Sequence, residues 1–375
     1  MEENNTNYDL GKKFEEEYKK IEQSIQKPNI LLAGATGVGK SSLINMIFGE
    51  DVAQVGTGKP VTQRIDIYES ADCDVKIFDS KGYELADSDD DEFYDTVINM
   101  AAKTQRPEDA IHMVWYCIAS NGARVQDYDL RALDAFTKCN IPIAVILTKA
   151  DTPSEEEISE MRAQIPARFM DSIFETSTKN EEYNQTKALV DWSIARLPES
   201  LRFAFIKSQK IDLKTKQKTA RKYIKQQCAL AFGVGFAPIP MSDAPLLVAN
   251  EMSLIARILY LYDLGSVSDI IKTTGLSSML GGLLTNLGKS AVANLIKMIP
   301  GIGTVVGGAI SGSVGSIITA GVGEAASVTA YQISNAKLSG DYAKAEDLIH
   351  NFGPTIMSIA SEWIKSGKKV EDLPE

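Results

Sequence analysis

Histidine is nearly missing from this chain: His112 and His350 are the two in 375 residues, and each stands isolated. That argues against a histidine-built metal or nucleophile site. Cysteine is also scarce. Cys73, Cys117, Cys139 and Cys228 are scattered, with no C-x-x-C pair, which argues against a disulfide framework or zinc site and fits a reducing compartment. The leading residues, Met1 to Asp9, are polar and acidic, unlike a secretory signal, so the expected location is cytoplasmic. Positive charge is in deficit, 39 Lys and Arg against 50 Asp and Glu, for a net charge of −11. Bulk attraction to nucleic acid is therefore not expected, although a local basic patch remains open. The rest is ordinary for a folded protein, 44% hydrophobic and 24% charged,. The length predicts two domains, or one with a large appendage.

What is present is organised around Asn29–Asn45. A short apolar run, Ile30 to Ala33, reads as a buried strand. Gly34-x-x-x-x-Gly39-Lys40-Ser41 follows, then a helical pattern through Phe48. Strand, loop and helix in that order make a phosphate-binding loop. Backbone N–H groups of Gly34, Ala35, Thr36, Gly37, Val38, Gly39, Lys40, Ser41 and Ser42 would curl around a polyphosphate, and the glycines permit the close approach. The helix directs its positive end at the anion. Lys40 would reach the β- and γ-phosphates, and Ser41 would ligate Mg²⁺.

Strands and helices then alternate. Strands are predicted at Arg64–Tyr68, Val75–Phe78, Ile111–Ile118, Ile141–Leu147 and Ile173–Glu175. Helices are predicted at Glu92–Lys103, Asp127–Lys138, Ser154–Phe169 and Gln185–Leu197. The pattern implies a mostly parallel sheet with helices on both faces, and a ligand beyond the carboxyl ends of the strands. Asp79-x-x-Gly82 falls there. Asp79 is a candidate Mg²⁺ residue, and the Gly82 N–H a sensor of the γ-phosphate. Between the loop and Asp79, Thr62 is the candidate switch ligand for Mg²⁺, with Thr57 its rival. After Gly82 comes an acidic stretch, Glu84 to Asp95, read as a second mobile loop capping a helix.

Thr148-Lys149-Ala150-Asp151 ends another strand. Guanine presents two adjacent donors that one carboxylate accepts together. Asp151 is the candidate for that contact, with the Lys149 stem across the base. Further on, the backbone at Ser177 is a weaker candidate for the guanine carbonyl.

Taken together, Gly-Ala-Thr-Gly-Val-Gly-Lys-Ser-Ser, Pro60-Val-Thr62, Asp79-Ser-Lys-Gly82, Thr148-Lys-Ala-Asp151 and Thr-Ser177 resemble an Era-like small GTPase domain of the translation-factor class, over residues 28–199. The resemblance implies GTP and GDP as ligands, Mg²⁺ as cofactor, and Lys40, Thr62 and Gly82 in catalysis. Two departures stand out. Most such domains carry Asn where Thr148 stands, and the form with Thr resembles septin-related and immunity-related GTPases. Gly37 replaces the Asn of potassium-dependent relatives. Tyr83, not the Gln of Ras-type enzymes, follows Gly82; the resemblance implies a hydrophobic residue at this place, with slow intrinsic hydrolysis raised by dimerisation or a partner.

From Leu201 the alternation stops. Lys207, Lys210, Lys214, Lys218, Arg221 and Lys225 recur on one helical stripe, read either as a contact for acidic lipid or an acidic partner, or as a solvated face. Leu246–Leu264, Leu276–Leu287 and Ser290–Ile299 are apolar helical pieces. Met298 to Gly323 holds no charged residue, long enough for a bilayer but full of Gly, Ser and Thr. Tight packing in a soluble bundle and conditional membrane insertion both remain open. Asp341 to Lys369 reads as amphipathic helix. The segments Cys228–Pro245 and Ile299–Ala309 are similar to the YcjF-type helical domain, and the whole layout is similar to immunity-related GTPases. That layout implies an all-α domain over 200–375, joined by the leading helix within 1–27. The expected function is a GTP-hydrolysing switch coupled to a membrane or partner. A nearly inactive nucleotide-dependent scaffold and an RNA or ribosome assembly factor are the alternatives.

Overall fold

The computed structural model describes residues 14–49, 52, 60–62, 65–70, 73–80, 110–138, 140–234, 244–265 and 307–374. In chain order these form α1 (14–24), β1 (Asn29–Ala33), α2 (Lys40–Phe48), β2 (Pro60–Thr62), β3 (Ile65–Ser70), β4 (Cys73–Ser80) and β5 (Met113–Ala119). Next come α3 (Asp127–Thr137), β6 (Ile143–Thr148), α4 (Glu155–Gln164), β7 (Ile173–Thr176), α5 (Thr186–Arg196) and α6 (Glu199–Ser208). The series ends with α7 (Leu213–Val234), α8 (Ala244–Leu261), α9 (Gly307–Leu338), α10 (Tyr342–His350) and α11 (Phe352–Lys365). The chain divides into two compact units, Ile25–Asp212 and Met1–Ser24 with Leu213–Glu375.

The first unit is an α/β fold. Its seven-stranded sheet has the order β2-β3-β4-β1-β5-β6-β7. β4, β1, β5, β6 and β7 run parallel, and β2 and β3 add an antiparallel edge. The strand residues alternate between two cores. Leu31, Phe78, Val114, Tyr116, Val145 and Leu147 face Leu133 and Phe136 of α3 and Met161 of α4. Ile30, Leu32, Ile77, Trp115 and Ile146 face Leu43 and Ile47 of α2, Leu189 of α5 and Phe205 of α6. With helices on both faces, β1 and β6 are buried at every residue, as their uninterrupted apolar runs require.

Several boundaries differ from the sequence reading, each for a local reason. The helix expected over Ser154–Phe169 stops at Gln164, because Pro166 holds Ile165 in an extended conformation (ψ 134°),. A 3₁₀ turn, Ala167–Ser172, follows. The unit runs on past 199 to Asp212, since α6 packs Phe205 edge-on against Phe48 and Trp115, at 5.7 and 6.2 Å between ring centres. The basic stripe is not one helix. Lys207 lies in α6, buried against Asp74 at 3.0 Å, and the chain leaves the helix after Ser208 before α7 begins. The expected helix Glu92–Lys103 and the pieces Leu276–Leu287 and Ser290–Ile299 lie outside the described residues.

The second unit is helical. α9 packs on α7, α8, α10 and α11. It is a single helix of 32 residues. α1 packs on α8, with Tyr18 at 5.2 Å from Tyr260, edge to face. One glycine of α9 sits where a side chain would collide: a Cβ on Gly323 would lie 2.7 Å from Ile224 and 2.9 Å from Leu254. Arg221 of α7 makes a two-pronged ion pair with Glu324 of α9, at 2.6 and 3.0 Å. The amphipathic segment near the C-terminus is two helices, broken at Asn351, whose backbone leaves the helical region (φ −94°, ψ 17°). Among the described residues no helix is long and apolar enough to cross a membrane.

Candidate functional site

The parallel strands bring four loops to one edge of the sheet. Leu32 near the end of β1 stands in register with Asp79 near the end of β4. Thr148, ending β6, stands in register with Ala119 of β5 and Thr176 of β7. The loop after β1 needs its glycines. Gly34 adopts φ +135°, and a Cβ there would run into the carbonyl oxygen of Cys117. Gly39 caps α2 in the left-handed region (φ 108°) with no side-chain cap, which leaves the first N–H groups of the helix open to an anion.

Lys40 folds back over this loop. Its Nζ donates to the carbonyls of Gly34 at 2.8 Å and Ala35 at 3.2 Å, and the residue is buried. Its charge bears on Asp79. Burial pushes the Asp79 carboxyl up to about 6, with Asp66 adding to the rise, while the Lys40 ammonium and the Tyr68 hydroxyl oppose it. The Oδ1 of Asp79 is buried with no hydrogen-bond partner. An orphaned carboxylate oxygen beside the start of α2, where Ser41 lies exposed, fits one side of a Mg²⁺ shell. Among the described residues no three His, Cys, Asp or Glu side chains converge.

The loop after β6 reaches the phosphate loop directly. The Thr148 hydroxyl is buried and lies against the carbonyls of Val38 and Ile118. The Lys149 ammonium donates to the Gly37 carbonyl at 2.8 Å, from a left-handed backbone (φ 55°). Asp151 is half-buried, and its Oδ1 accepts a 2.6 Å hydrogen bond from the Ser177 hydroxyl. That bond holds the carboxyl below its usual range. Ser177 in turn accepts from the backbone N–H groups of Lys179 and Asn180, at 3.0 and 3.1 Å.

One cleft joins these parts. It is lined by Gly39, Ser42 and Met46 on the phosphate side and by Lys149, Asp151 and Thr152 on the other. Thr178 and Lys179 close the same cleft. Of the residues expected from sequence, those of 34–42, Asp79, Thr148, Lys149, Asp151 and Ser177 gather at this edge. Thr62 ends the edge strand β2. Gly82, Tyr83, Thr57 and the acidic stretch Glu84 to Asp95 lie outside the described residues. Met46, Thr152, Thr178 and Lys179 are lining residues that the motifs did not single out. Thr178 and Lys179 follow Ser177 directly, so chain continuity was the available signal.

Residues 29–149 match the family model described as 50S ribosome-binding GTPase. This part of the chain is a P-loop GTPase domain. Its relatives include a probable GTP-binding protein EngB of Aquifex aeolicus, 29% identical over 154 residues, which span 41% of this chain and 83% of that protein. Neuronal-specific septin-3 of Mus musculus is 22% identical over 220 residues, 48% of this chain and 59% of the septin. A solved EngB structure aligns with a TM-score of 0.33 at 18% identity, covering 44% of this chain and 97% of that one. Aquifex aeolicus Era bound to GDP·AlF₄⁻ aligns with a TM-score of 0.34 at 15% identity, covering 55% of this chain and 68% of that one.

Proposed function

We propose that the chain binds and slowly hydrolyses GTP, and that its nucleotide state is passed to the helical unit, which meets a membrane surface or a partner. The observation that carries the reading is the shared cleft, which has the phosphate loop on one side and the Lys149–Asp151 loop on the other. The backbone N–H groups of 34–42 and the Lys40 ammonium bind the β- and γ-phosphates, giving up the Lys40 contacts to Gly34 and Ala35 for phosphate oxygens. Ser41, Asp79 and Thr62 would hold Mg²⁺, which would supply positive charge to offset the negative charge that develops during phosphoryl transfer. The Gly82 N–H reads the γ-phosphate. Asp151, steadied by Ser177, accepts the two donors of guanine. The Lys149 stem lies along the base, and Thr148 ties the base loop to the phosphate loop.

Tyr83 has no side-chain carboxamide with which to orient the attacking water. Unassisted turnover is therefore expected on the order of 10⁻⁴–10⁻² s⁻¹, raised by a homodimer or another partner. Phosphate release from GTP, measured at high dilution and again at high protein concentration, tests this. A fast rate that ignores concentration refutes assisted catalysis, and binding without any release leaves a nucleotide-dependent scaffold. Asp151→Asn tests the base site. The variant should move its preference from guanine toward xanthine nucleotides, and unchanged preference removes Asp151 from the base.

A further inference from the structure

One helix carries a face whose charge runs against the chain as a whole. The sequence has a net charge of −11, yet α7 contains no Asp or Glu over its 22 residues. Its inner side buries Leu213, Ala220, Ile224, Cys228 and Ala231. Its outer side exposes Lys214, Lys218, Lys222 and Lys225. At about 100° per residue these four fall within one arc of about 80°, spread along about 16 Å of helix. Arg221 is not part of this face, since Glu324 engages it on both oxygens. Beyond Lys225 the exposed surface continues into Ala229, within the same arc, and Leu230, 61% exposed and about 80° round the helix from the edge of that arc,.

The residue types say what kind of anion fits. All four exposed cations are lysines. An ammonium is a point charge without the planar fork that clamps one carboxylate or phosphate. Lysines in a line, with an uncovered leucine beyond them, suit a plane of diffuse negative charge over apolar material. A helix lying in a bilayer interface presents that combination, cations for the headgroups and an apolar side chain for the boundary below them.

We propose that α7 docks this protein on an anionic lipid surface through Lys214, Lys218, Lys222 and Lys225, with Leu230 entering the headgroup boundary. The proposal rests on the reading that the helical unit is the half that meets a membrane, and it names the surface and the contact. Each lysine near such a surface is worth about a factor of five in partition. Removing four therefore costs several hundredfold, and raising salt weakens binding because the attraction decays within about 8–10 Å.

The test is co-sedimentation of the full-length protein with phosphatidylcholine vesicles, with and without a third of phosphatidylserine, in GDP and in a non-hydrolysable GTP analogue. The wild type should bind the anionic vesicles in a salt-sensitive way, and K214Q/K218Q/K222Q/K225Q should lose that binding while keeping its GTP turnover. Leu230→Ser, a surface change that leaves the charge intact, should weaken binding roughly tenfold. Wild-type binding that both variants retain overturns the α7 assignment and leaves the membrane reading standing. A wild type that binds neither vesicle overturns both. Equal, lysine-dependent binding to single-stranded RNA overturns the lipid assignment in favour of a general polyanion site.

Discussion

The bond between the two nucleotide loops has a calculable consequence. Thr148 is buried at the end of β6, and its hydroxyl lies on the Val38 carbonyl, with Ile118 as a second acceptor at 3.2 Å. Thr148→Val keeps the shape and removes the donor. Val38 is itself buried, so its carbonyl loses a partner where water has poor access. Leaving such an acceptor unsatisfied costs about 1–3 kcal/mol. The cost divides between the unliganded fold and the liganded one, because the bond already exists without nucleotide. A roughly tenfold loss of affinity, about 1.4 kcal/mol, is the expected share at the nucleotide. GDP and GTP should weaken together, since the phosphate loop serves both. Guanine should stay preferred over adenine, because Asp151 keeps its bond to Ser177. Titration with a fluorescent GDP analogue, together with thermal unfolding of the same samples, measures both shares. A dissociation constant within twofold of wild type and an unchanged Tm would refute the reasoning. Loss of guanine preference with phosphate affinity intact would mean that Thr148 serves the base instead.

Three further outcomes are expected. Gly34→Ala forces a side chain into the Cys117 carbonyl at a backbone φ of +135°, so nucleotide affinity should fall at least tenfold while circular dichroism stays native; retained affinity would show that β1 and β5 yield without cost. Gly323→Ala places a methyl 2.7 Å from Ile224, and overpacking of about 1–3 kcal/mol should outweigh the helix-propensity gain of about 1 kcal/mol, lowering the denaturation midpoint of the helical unit; a rise in that midpoint would contradict the tight α7–α9 contact. Glu251 is fully buried on α8, hydrogen-bonded by Thr319 at 2.6 Å, and burial lifts its carboxyl from 4.5 to about 7. The folded state therefore holds this proton more tightly than the unfolded one, and stability should rise by up to about 3 kcal/mol as pH falls from about 7 to 4.5. Glu251→Gln should flatten that dependence in hydrogen exchange of the α9 backbone, and parallel profiles for variant and wild type would dismiss it.

The phosphate loop was legible because its chemistry leaves little choice of residue. Gly34 and Gly39 occupy conformations that a side chain resists, and Lys40 must reach back across the loop. Asp79 and Asp151 were legible through their places at strand ends. The geometry between motifs was not. Ser177 was expected to offer its backbone to guanine, yet its side chain holds Asp151 while two N–H groups hold it in turn. A serine after a strand carries no mark of that arrangement. Thr148 reads as a base-contacting residue by its place in the motif, and only the approach of β6 to the loop after β1 turns its hydroxyl inward to Val38. The basic stripe failed as a single helix for a related reason. Periodicity counts residues three and four apart but cannot register that 209–212 interrupts the helix and that Asp74 captures Lys207.

The glycine-rich run near the C-terminus was open to two readings because small residues serve close packing in water and in lipid alike. What separates the readings lies at its ends and on its neighbours. The run continues into Glu324, and α9 as a whole spans about 48 Å, longer than a bilayer core. Glu324 is paired with Arg221 across the α7–α9 contact, while Gly321 meets Trp363 and Gly323 meets Ile224 and Leu254. The small residues are thus already used in packing within the helical unit. Moving α9 into a bilayer would strip Arg221 of its partner, and breaking a buried pair costs about 3–5 kcal/mol. Docking through the lysine face of α7 leaves that ion pair in place, since Lys214, Lys218, Lys222 and Lys225 are exposed where they stand. A membrane contact by this protein is therefore expected to leave the α7–α9 ion pair intact, so that Glu324→Gln should lower the stability of the helical unit without changing its salt-sensitive attachment to anionic vesicles.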